Sequence, residues 1–209
     1  MGEFFEINGK SVVKLYVNQI AMAVFGVMVV FSTAQNDLLV LLASFLAVGL
    51  YLFIIYSMMW EAGAKAAAKT LRAEDAGVKK IKTPLLIVFF GSLFNIFCYL
   101  LYAILKIYVV AKDITEGGAA FFGNLVWIVM RMLNSIYMGF EATLFPNPNI
   151  ALMELGEESV STIMYTPPYY FFLTLIPLFV TGIVAYYLGA SEISILKKLG
   201  FGTKPKNKK

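Results

Sequence analysis

The fold is decided by one stretch of sequence, LLVLLASFLAVGLYLFIIYSMMW, which fills residues 38–60. None of its residues is charged, and Asp37 and Glu61 stand at its two ends. An α-helix rises about 1.5 Å per residue, so about 20 apolar residues cover the roughly 30 Å hydrocarbon core of a bilayer. The stretch therefore predicts a helix that spans a membrane.

Four further apolar stretches approach or reach that length; they fill residues 15–33, 84–110, 119–139 and 169–189. The polar turn AQND at residues 34–37 joins the first two stretches and predicts an antiparallel hairpin. The first stretch also has features of a cleaved signal peptide, because lysines precede it and it ends in small residues. The short turn into a second long apolar stretch favours a retained hairpin.

The composition indicates the same class of protein. Hydrophobic residues make up 60% and charged residues 14% of the 209 residues, and the mean hydropathy is +0.77. Soluble domains carry about 45–50% apolar and about 25% charged residues, so this chain has too little charge to cover a water-facing surface. We therefore expect an all-α polytopic membrane protein, with a single transmembrane domain over residues 1–190 and a basic tail over residues 191–209.

The placement of the basic residues predicts the orientation. Fourteen of the 17 Lys and Arg residues lie before the first stretch, in the loop 61–83, or in the tail. The loop 140–168 has four glutamates and no basic residue. Because Lys and Arg accumulate in cytoplasmic loops, both termini and the loop 61–83 are predicted to face the cytoplasm of a plasma membrane, with the acidic loop 140–168 outside.

Two cytoplasmic termini require an even number of crossings, whereas the chain has five apolar stretches. The fourth, at residues 119–139, is the weakest because Arg131 lies near its middle. Asn134, Ser135 and Glu141 fall on the same side of a helical wheel as Arg131. This pattern favours a re-entrant or interfacial segment on the outer side over a span whose polar face meets other helices. The prediction is thus a bundle of four to five membrane helices.

The residue types and motifs that the sequence lacks exclude several chemistries. The chain has no histidine, and its single cysteine is Cys98, so histidine-based hydrolysis, disulfides and thiolate metal clusters are absent. All three aspartates lie in predicted loops, and there is no P-loop motif. We expect a protein that is not an enzyme, with no metal, no cofactor and no nucleic-acid partner.

Polar residues inside the apolar stretches are the candidate ligand-binding residues: Asn95, Tyr99, Tyr102, Arg131 and Asn134. The first three share one helical stripe, which would face the side of the fourth stretch that carries Arg131. A charged side chain at mid-membrane costs about 2.5–3.5 kcal/mol on insertion scales, so each needs a partner. The residues line a ligand cavity, or they tie helices together, as in an Arg131–Glu141 pair or an interhelical Asn95 hydrogen bond.

A second candidate surface closes the second apolar stretch; its residues are Trp60, Glu61, Lys65, Lys69 and Arg72. The charged members recur at intervals of four, four and three, which places them on one helical face. Glu61 is spaced to pair with Lys65, and the remaining cations suit anionic lipid headgroups. The same face would also suit a cytoplasmic protein partner.

Four motifs carry a family resemblance: KLYVNQI at residues 14–20, YSMMWEAGAK at 56–65, RMLNSIYMG at 131–139 and YYLG at 186–189. Together they resemble a family of small integral membrane proteins of Gram-positive bacteria that has no assigned activity. The resemblance extends over most of the chain. It implies a bacterial membrane location and a helical architecture, but no chemistry.

Two hypotheses about function follow from these patterns. The first is a non-enzymatic ligand-binding or transport-associated membrane subunit, with its cavity along the polar stripe. The second is an accessory or scaffold protein that docks a membrane protein partner, or a second copy of itself, through its helices and the basic loop. No inverted repeat is visible in the sequence, which argues against an autonomous transporter.

Overall fold

A computed structural model of the protein describes residues 2–33, 36–72, 82–112, 117–146 and 165–191. All regular secondary structure in those ranges is helical, which confirms the all-α class. The α-helices are α1 (Gly2–Thr33), α2 (Asp37–Arg72), α3 (Lys82–Gly91), α4 (Leu93–Ala111), α5 (Gly118–Leu133), α6 (Met138–Leu144), α7 (Pro168–Leu173) and α8 (Leu175–Ala190). A 3-10 turn, Ser135–Tyr137, joins α5 to α6.

Three helical segments are long and apolar enough to cross a membrane: Phe4–Thr33, Asp37–Ala68 and Pro168–Ala190. They contain the first, second and fifth apolar stretches of the sequence. Side chains on their outer surface are apolar and open, with Phe31 81% and Leu46 77% exposed. Such exposure is costly in water and ordinary in lipid, so the surface agrees with a membrane protein.

The third apolar stretch is divided into two helices. Lys82–Gly91 and Leu93–Val109 meet at a bend of 60° and together qualify as one broken span or a re-entrant loop. The bend falls at the pair Gly91-Ser92, a combination that commonly kinks helices. With this bent pair the described residues hold up to four spans.

The fourth apolar stretch does not form one continuous helix. α5 ends at Leu133, and the chain then turns at Asn134 into the 3-10 turn. Its apolar part, Phe121–Leu133, is a shorter apolar helix that rises only about 20 Å. The described residues therefore contain three candidate spans, or four if the bent pair counts as one. The predicted count of four to five membrane helices and the re-entrant segment at residues 119–139 are not confirmed.

The helix α2 is the centre of the bundle and packs against α1, α6 and α8. Its closest approach is to α8, where glycines face backbone carbonyls. A Cβ atom at Gly63 would clash with the Tyr186 carbonyl oxygen, and one at Gly189 would clash with the Trp60 carbonyl oxygen. Small residues let helix backbones approach closely in membranes, so this pair of glycines fixes α2 to α8.

Local signals at the helix ends match the observed boundaries. Asn36 caps α2, since its Oδ1 accepts the Leu39 N–H at 3.2 Å. Pro168 occupies the first turn of α7, where its missing N–H has no cost. Residues 73–81 of the basic loop, most of the acidic loop 140–168 and nearly all of the tail 191–209 lie outside the described residues. The sides of the membrane assigned to these segments stay predictions.

Candidate functional site

The polar residues predicted to line a cavity lie between α4, α5 and α7, and Asn134 is their first meeting point. Its Oδ1 accepts a hydrogen bond from the Tyr99 hydroxyl at 2.7 Å, and Thr174 Oγ1 lies 3.0 Å from the same oxygen. Its amide nitrogen donates to the Met130 carbonyl at 2.9 Å. The Asn134 backbone N–H donates to the same carbonyl at 3.0 Å, so this carbonyl in the last turn of α5 accepts two hydrogen bonds. Asn134 thus ends α5 and joins it to α4 and the start of α8.

A second group of hydrogen bonds lies one turn along α4. The Asn95 amide donates to Gln19 Oε1 at 2.9 Å, and the Gln19 amide donates to Ser92 Oγ at 3.1 Å. These bonds connect α1 to the bend between α3 and α4. The interhelical bond predicted for Asn95 is present, and it gives the bend a partner on the neighbouring helix.

The third group is centred on Thr166, which is completely buried. Its carbonyl accepts hydrogen bonds from the Tyr102 hydroxyl at 2.6 Å and from Lys106 Nζ at 2.8 Å. Its hydroxyl donates to Glu141 Oε1 at 2.6 Å and accepts from Trp127 Nε1 at 3.2 Å. One threonine therefore joins α4, α5 and α6 to the segment that leads into α7.

Arg131 lies beside this group of hydrogen bonds around Thr166, which we call the Thr166 hub, and it contacts a buried carboxylate there. Its Nε lies 3.2 Å from Glu141 Oε1, and its guanidinium stacks 5.0 Å from the Trp127 ring centroid and 5.9 Å from that of Tyr165. Burial raises the pKa of the Tyr165 phenol further above neutral pH, so both rings that contact the cation are uncharged. The tie between Arg131 and Glu141, one of the two interpretations of the sequence, is the one found.

A small cavity of about 30 Å³ lies inside the bundle, and Asn95, Tyr99 and Asn134 are among its lining residues. This volume suits one or two water molecules, whereas sites for larger ligands span about 300–1,000 Å³. Tyr137 also lines the cavity, and its hydroxyl is buried with no hydrogen-bond partner within the described residues. The cavity is therefore a polar site with room for water but not for a larger ligand.

The five predicted ligand-binding residues are thus brought together only in part. Asn95, Tyr99 and Asn134 share the cavity, while Tyr102 and Arg131 lie beside it at the Thr166 hub. The hub itself was missed, because Thr166 lies in a polar segment between apolar stretches and only the following Pro-Pro pair marks it. In the described part of the chain, no group of three or more His, Cys, Asp or Glu residues could hold a metal ion.

The predicted cytoplasmic face is a continuous helical surface, because α2 runs on to Arg72. The pair predicted between Glu61 and Lys65 is present as a salt bridge on the exposed surface. Such exposed pairs contribute little to stability, about 0.3–0.5 kcal/mol at this spacing. The side chains of Lys69 and Arg72 lie outside the described residues, whereas Trp60 is half-buried next to α8.

In comparisons with known proteins, no family model, no curated protein and no solved structure matches the chain. The resemblance to a family from Gram-positive bacteria therefore stays a prediction.

Proposed function

We propose that the chain is a non-enzymatic accessory protein of the plasma membrane, which docks a partner protein through the cytoplasmic extension of α2, residues 61–72. The observation that carries the proposal is the length of this helix. α2 has 36 residues and rises about 54 Å, well beyond the roughly 30 Å of a hydrocarbon core. About three turns therefore project beyond the membrane as ordered helix.

The extension is anchored where it leaves the membrane. The contacts of Gly63 and Gly189 hold it against α8, so a partner would meet a rigid surface. A preformed surface lowers the entropy cost of binding. Lys65, Lys69 and Arg72 fall on one face of the helix, and this charge suits a partner with an acidic cytoplasmic segment.

The interior of the bundle supports docking more than capture of a large ligand. The polar groups of Asn95, Tyr99, Tyr102, Arg131 and Asn134 each have a partner within the chain. The cavity beside them has the volume of one or two water molecules. These residues then act as ties between helices and hold the surface that the partner meets.

A second candidate function is the ligand-binding or transport-associated subunit. It is favoured by the unpartnered Tyr137 hydroxyl at the internal cavity, among the residues that the structure describes. Thermal unfolding of the purified protein with candidate small polar solutes tests this function. A rise in the midpoint that is lost in Asn134→Ala and kept in Lys65→Ala supports a site at the cavity, and no rise with any solute contradicts it.

The docking function is tested by photo-cross-linking in native membranes. A photoreactive residue replaces Ala68, which is exposed on the extension, or Lys112, which is exposed at the end of α4 as a matched control. We expect a specific adduct from position 68, reduced about tenfold, or about 1.4 kcal/mol, by the charge reversals Lys65→Glu and Arg72→Glu. An adduct that does not depend on these charges, or one formed equally from position 112, contradicts docking at this face.

The proposal also includes an orientation, with both termini in the cytoplasm. It requires four crossings: α1, α2, the bent pair α3 and α4, and the pair α7 and α8. The helix α5 would then lie in a cap on the outer side. The substitution Glu157→Cys, in a Cys98→Ser background, tests this topology. Labelling of intact cells by a membrane-impermeant thiol reagent is expected, and a cysteine that reacts only after lysis contradicts it.

A further inference from the structure

A groove of about 520 Å³ lies between α1 and α2, on the surface of the bundle and apart from the internal cavity. Its walls are apolar and include Val17, Phe53 and Ile54. Lys14 and Glu61 lie at one end, and Asn18 and Ser57 lie one turn further along their helices. The groove therefore combines an apolar channel with a charged mouth and two polar side chains between them.

The depth of these residues follows from helix geometry. Lys14 lies far from the end of α1 at Thr33, and Ser57 lies equally far from the start of α2 at Asp37. Each of these separations corresponds to about 30 Å along a helix, which is roughly the thickness of the hydrocarbon core. With the turn between α1 and α2 at one surface, Lys14 lies at the level of the opposite headgroups. Ser57 lies at about the same level as Lys14, and Asn18 lies about one turn deeper, at the inner edge of that layer.

The two polar side chains lack adequate partners within the described residues. The Asn18 amide has only a contact of 3.7 Å to the Met58 sulfur, which is a weak acceptor. The Ser57 hydroxyl has no hydrogen-bond partner in this part of the chain. Unsatisfied polar groups are costly next to lipid, so both side chains favour an occupant that offers polar atoms at this depth.

The charge at the mouth selects an anion. Lys10 and Lys14 lie four residues apart and are both exposed, and Lys65 stands next to Glu61 across the groove. Glu6 lies one turn before Lys10, so three cations stand against two carboxylates and leave one net positive charge near the level of lipid phosphates. A transmembrane helix is a poorer occupant, because close helix packing in membranes needs small residues and Ser57 is the only small one among the described residues that line the groove.

We propose that this groove binds one molecule of an anionic phospholipid. Its phosphate contacts Lys14, its glycerol ester oxygens accept hydrogen bonds from Asn18 and Ser57, and one acyl chain lies along Val17, Phe53 and Ile54. An acyl chain exchanges one apolar environment for another when it enters from the bilayer. The headgroup contacts therefore supply most of the selectivity. This site does not depend on the docking function proposed above.

Native mass spectrometry of the full chain tests the site. The purified, delipidated protein is titrated with phosphatidylglycerol or with phosphatidylcholine as the zwitterionic probe. We expect one phosphatidylglycerol per chain to bind about tenfold more tightly than phosphatidylcholine. The double variant Lys14→Gln and Asn18→Leu should remove this preference, whereas Lys112→Gln, which removes an exposed lysine outside the groove, should keep it.

Three results would overturn the proposal: equal affinity for the two lipids, an unchanged preference in the double variant, or the same loss in Lys112→Gln. If the double variant does not fold, Lys14→Gln alone provides the decision, because Lys14 is exposed and lacks a described packing role. A photoreactive residue at Ser57 adds a second measurement. Adducts with phospholipid support the site, and adducts with protein alone show that a partner helix fills the groove.

Discussion

Arg131 and Glu141 form an ion pair across the break between α5 and α6, with Nε 3.2 Å from Oε1 and 3.3 Å from Oε2. The carboxylate is only 1% exposed, whereas the arginine side chain is 24% exposed. A carboxylate buried to this degree needs a cation and further hydrogen bonds to offset its loss of hydration. The Thr166 hydroxyl supplies one of those bonds. The pair therefore holds α5, α6 and the segment before α7 in one arrangement.

The first prediction concerns the loss of the cation. In Arg131→Met the Glu141 carboxylate stays buried without a charged partner, and we expect the free energy of unfolding to fall by about 3–5 kcal/mol. Adding Glu141→Gln removes the stranded charge and should restore a large part of that loss. Unfolding of the single and double variants in detergent, set against the wild type, measures both steps. A double variant no more stable than Arg131→Met would show that the charge on Glu141 is not the cause.

The second prediction concerns the hub residue. Thr166→Val keeps the shape of the side chain and both carbonyl bonds from Tyr102 and Lys106, but it deprives Glu141 and the Trp127 N–H of a partner. We expect a loss of about 1–3 kcal/mol in unfolding free energy. Thr143→Val is the matched control, because that threonine is exposed and bonds only within its own helix. Equal effects of the two substitutions would remove the special role of Thr166.

The sequence predicts the spans more completely than their contacts. Apolar length along one segment is a one-dimensional property, so residues 15–33, 38–60 and 169–189 each fall within a helical segment that is long and apolar enough to cross a membrane. The bend at Ser92 depends on a third helix, since Gln19 of α1 bonds to the serine at the turn. A glycine-serine pair inside an apolar stretch tolerates both a straight and a bent helix, and tertiary packing decides between them.

The candidate site, like the spans, could be predicted from the sequence only in part. The stripe of Asn95, Tyr99 and Tyr102 could be predicted from helical spacing, and its contact with Asn134 followed from two polar faces that both avoid lipid. The position of Thr166 could not be predicted, because a residue between apolar stretches has no periodic pattern to place it. The volume left inside the bundle depends on the crossing of helices, which sequence spacing does not set.

The third prediction concerns the internal cavity. A polar cavity of about 30 Å³ beside the Tyr137 hydroxyl has room for a water molecule that accepts its hydrogen bond. Tyr137→Phe should then lower the stability slightly, by no more than about 1 kcal/mol, since one net hydrogen bond is lost. Tyr170→Phe is the comparison, because that hydroxyl donates to the Tyr137 carbonyl at 2.8 Å, and a loss of about 1–3 kcal/mol is expected.

The outcome for Tyr137 separates a wet from a dry cavity. An unsatisfied buried hydroxyl costs about 1–3 kcal/mol, so its removal from a dry cavity would stabilise the protein by a similar amount. Thermal unfolding of the two phenylalanine variants in the same detergent distinguishes the two cases. A midpoint for Tyr137→Phe above that of the wild type would contradict the hydrated cavity.

The last prediction compares two glycines of α2. Gly49→Ala adds a methyl group where nothing lies within 4 Å, and alanine favours a helix by about 0.5–1 kcal/mol over glycine, so stability should rise slightly. In Gly63→Ala the same methyl group meets the Tyr186 carbonyl, and a backbone atom cannot rotate away as a flexible side chain does. The helices α2 and α8 must separate, and we expect a loss of about 1–3 kcal/mol. Because the chemical change is identical, helix propensity cancels in the difference between the two midpoints. Equal midpoints for the two variants would show that α2 and α8 are not held together at Gly63, and the rigid anchor assumed for the α2 extension would be lost with it.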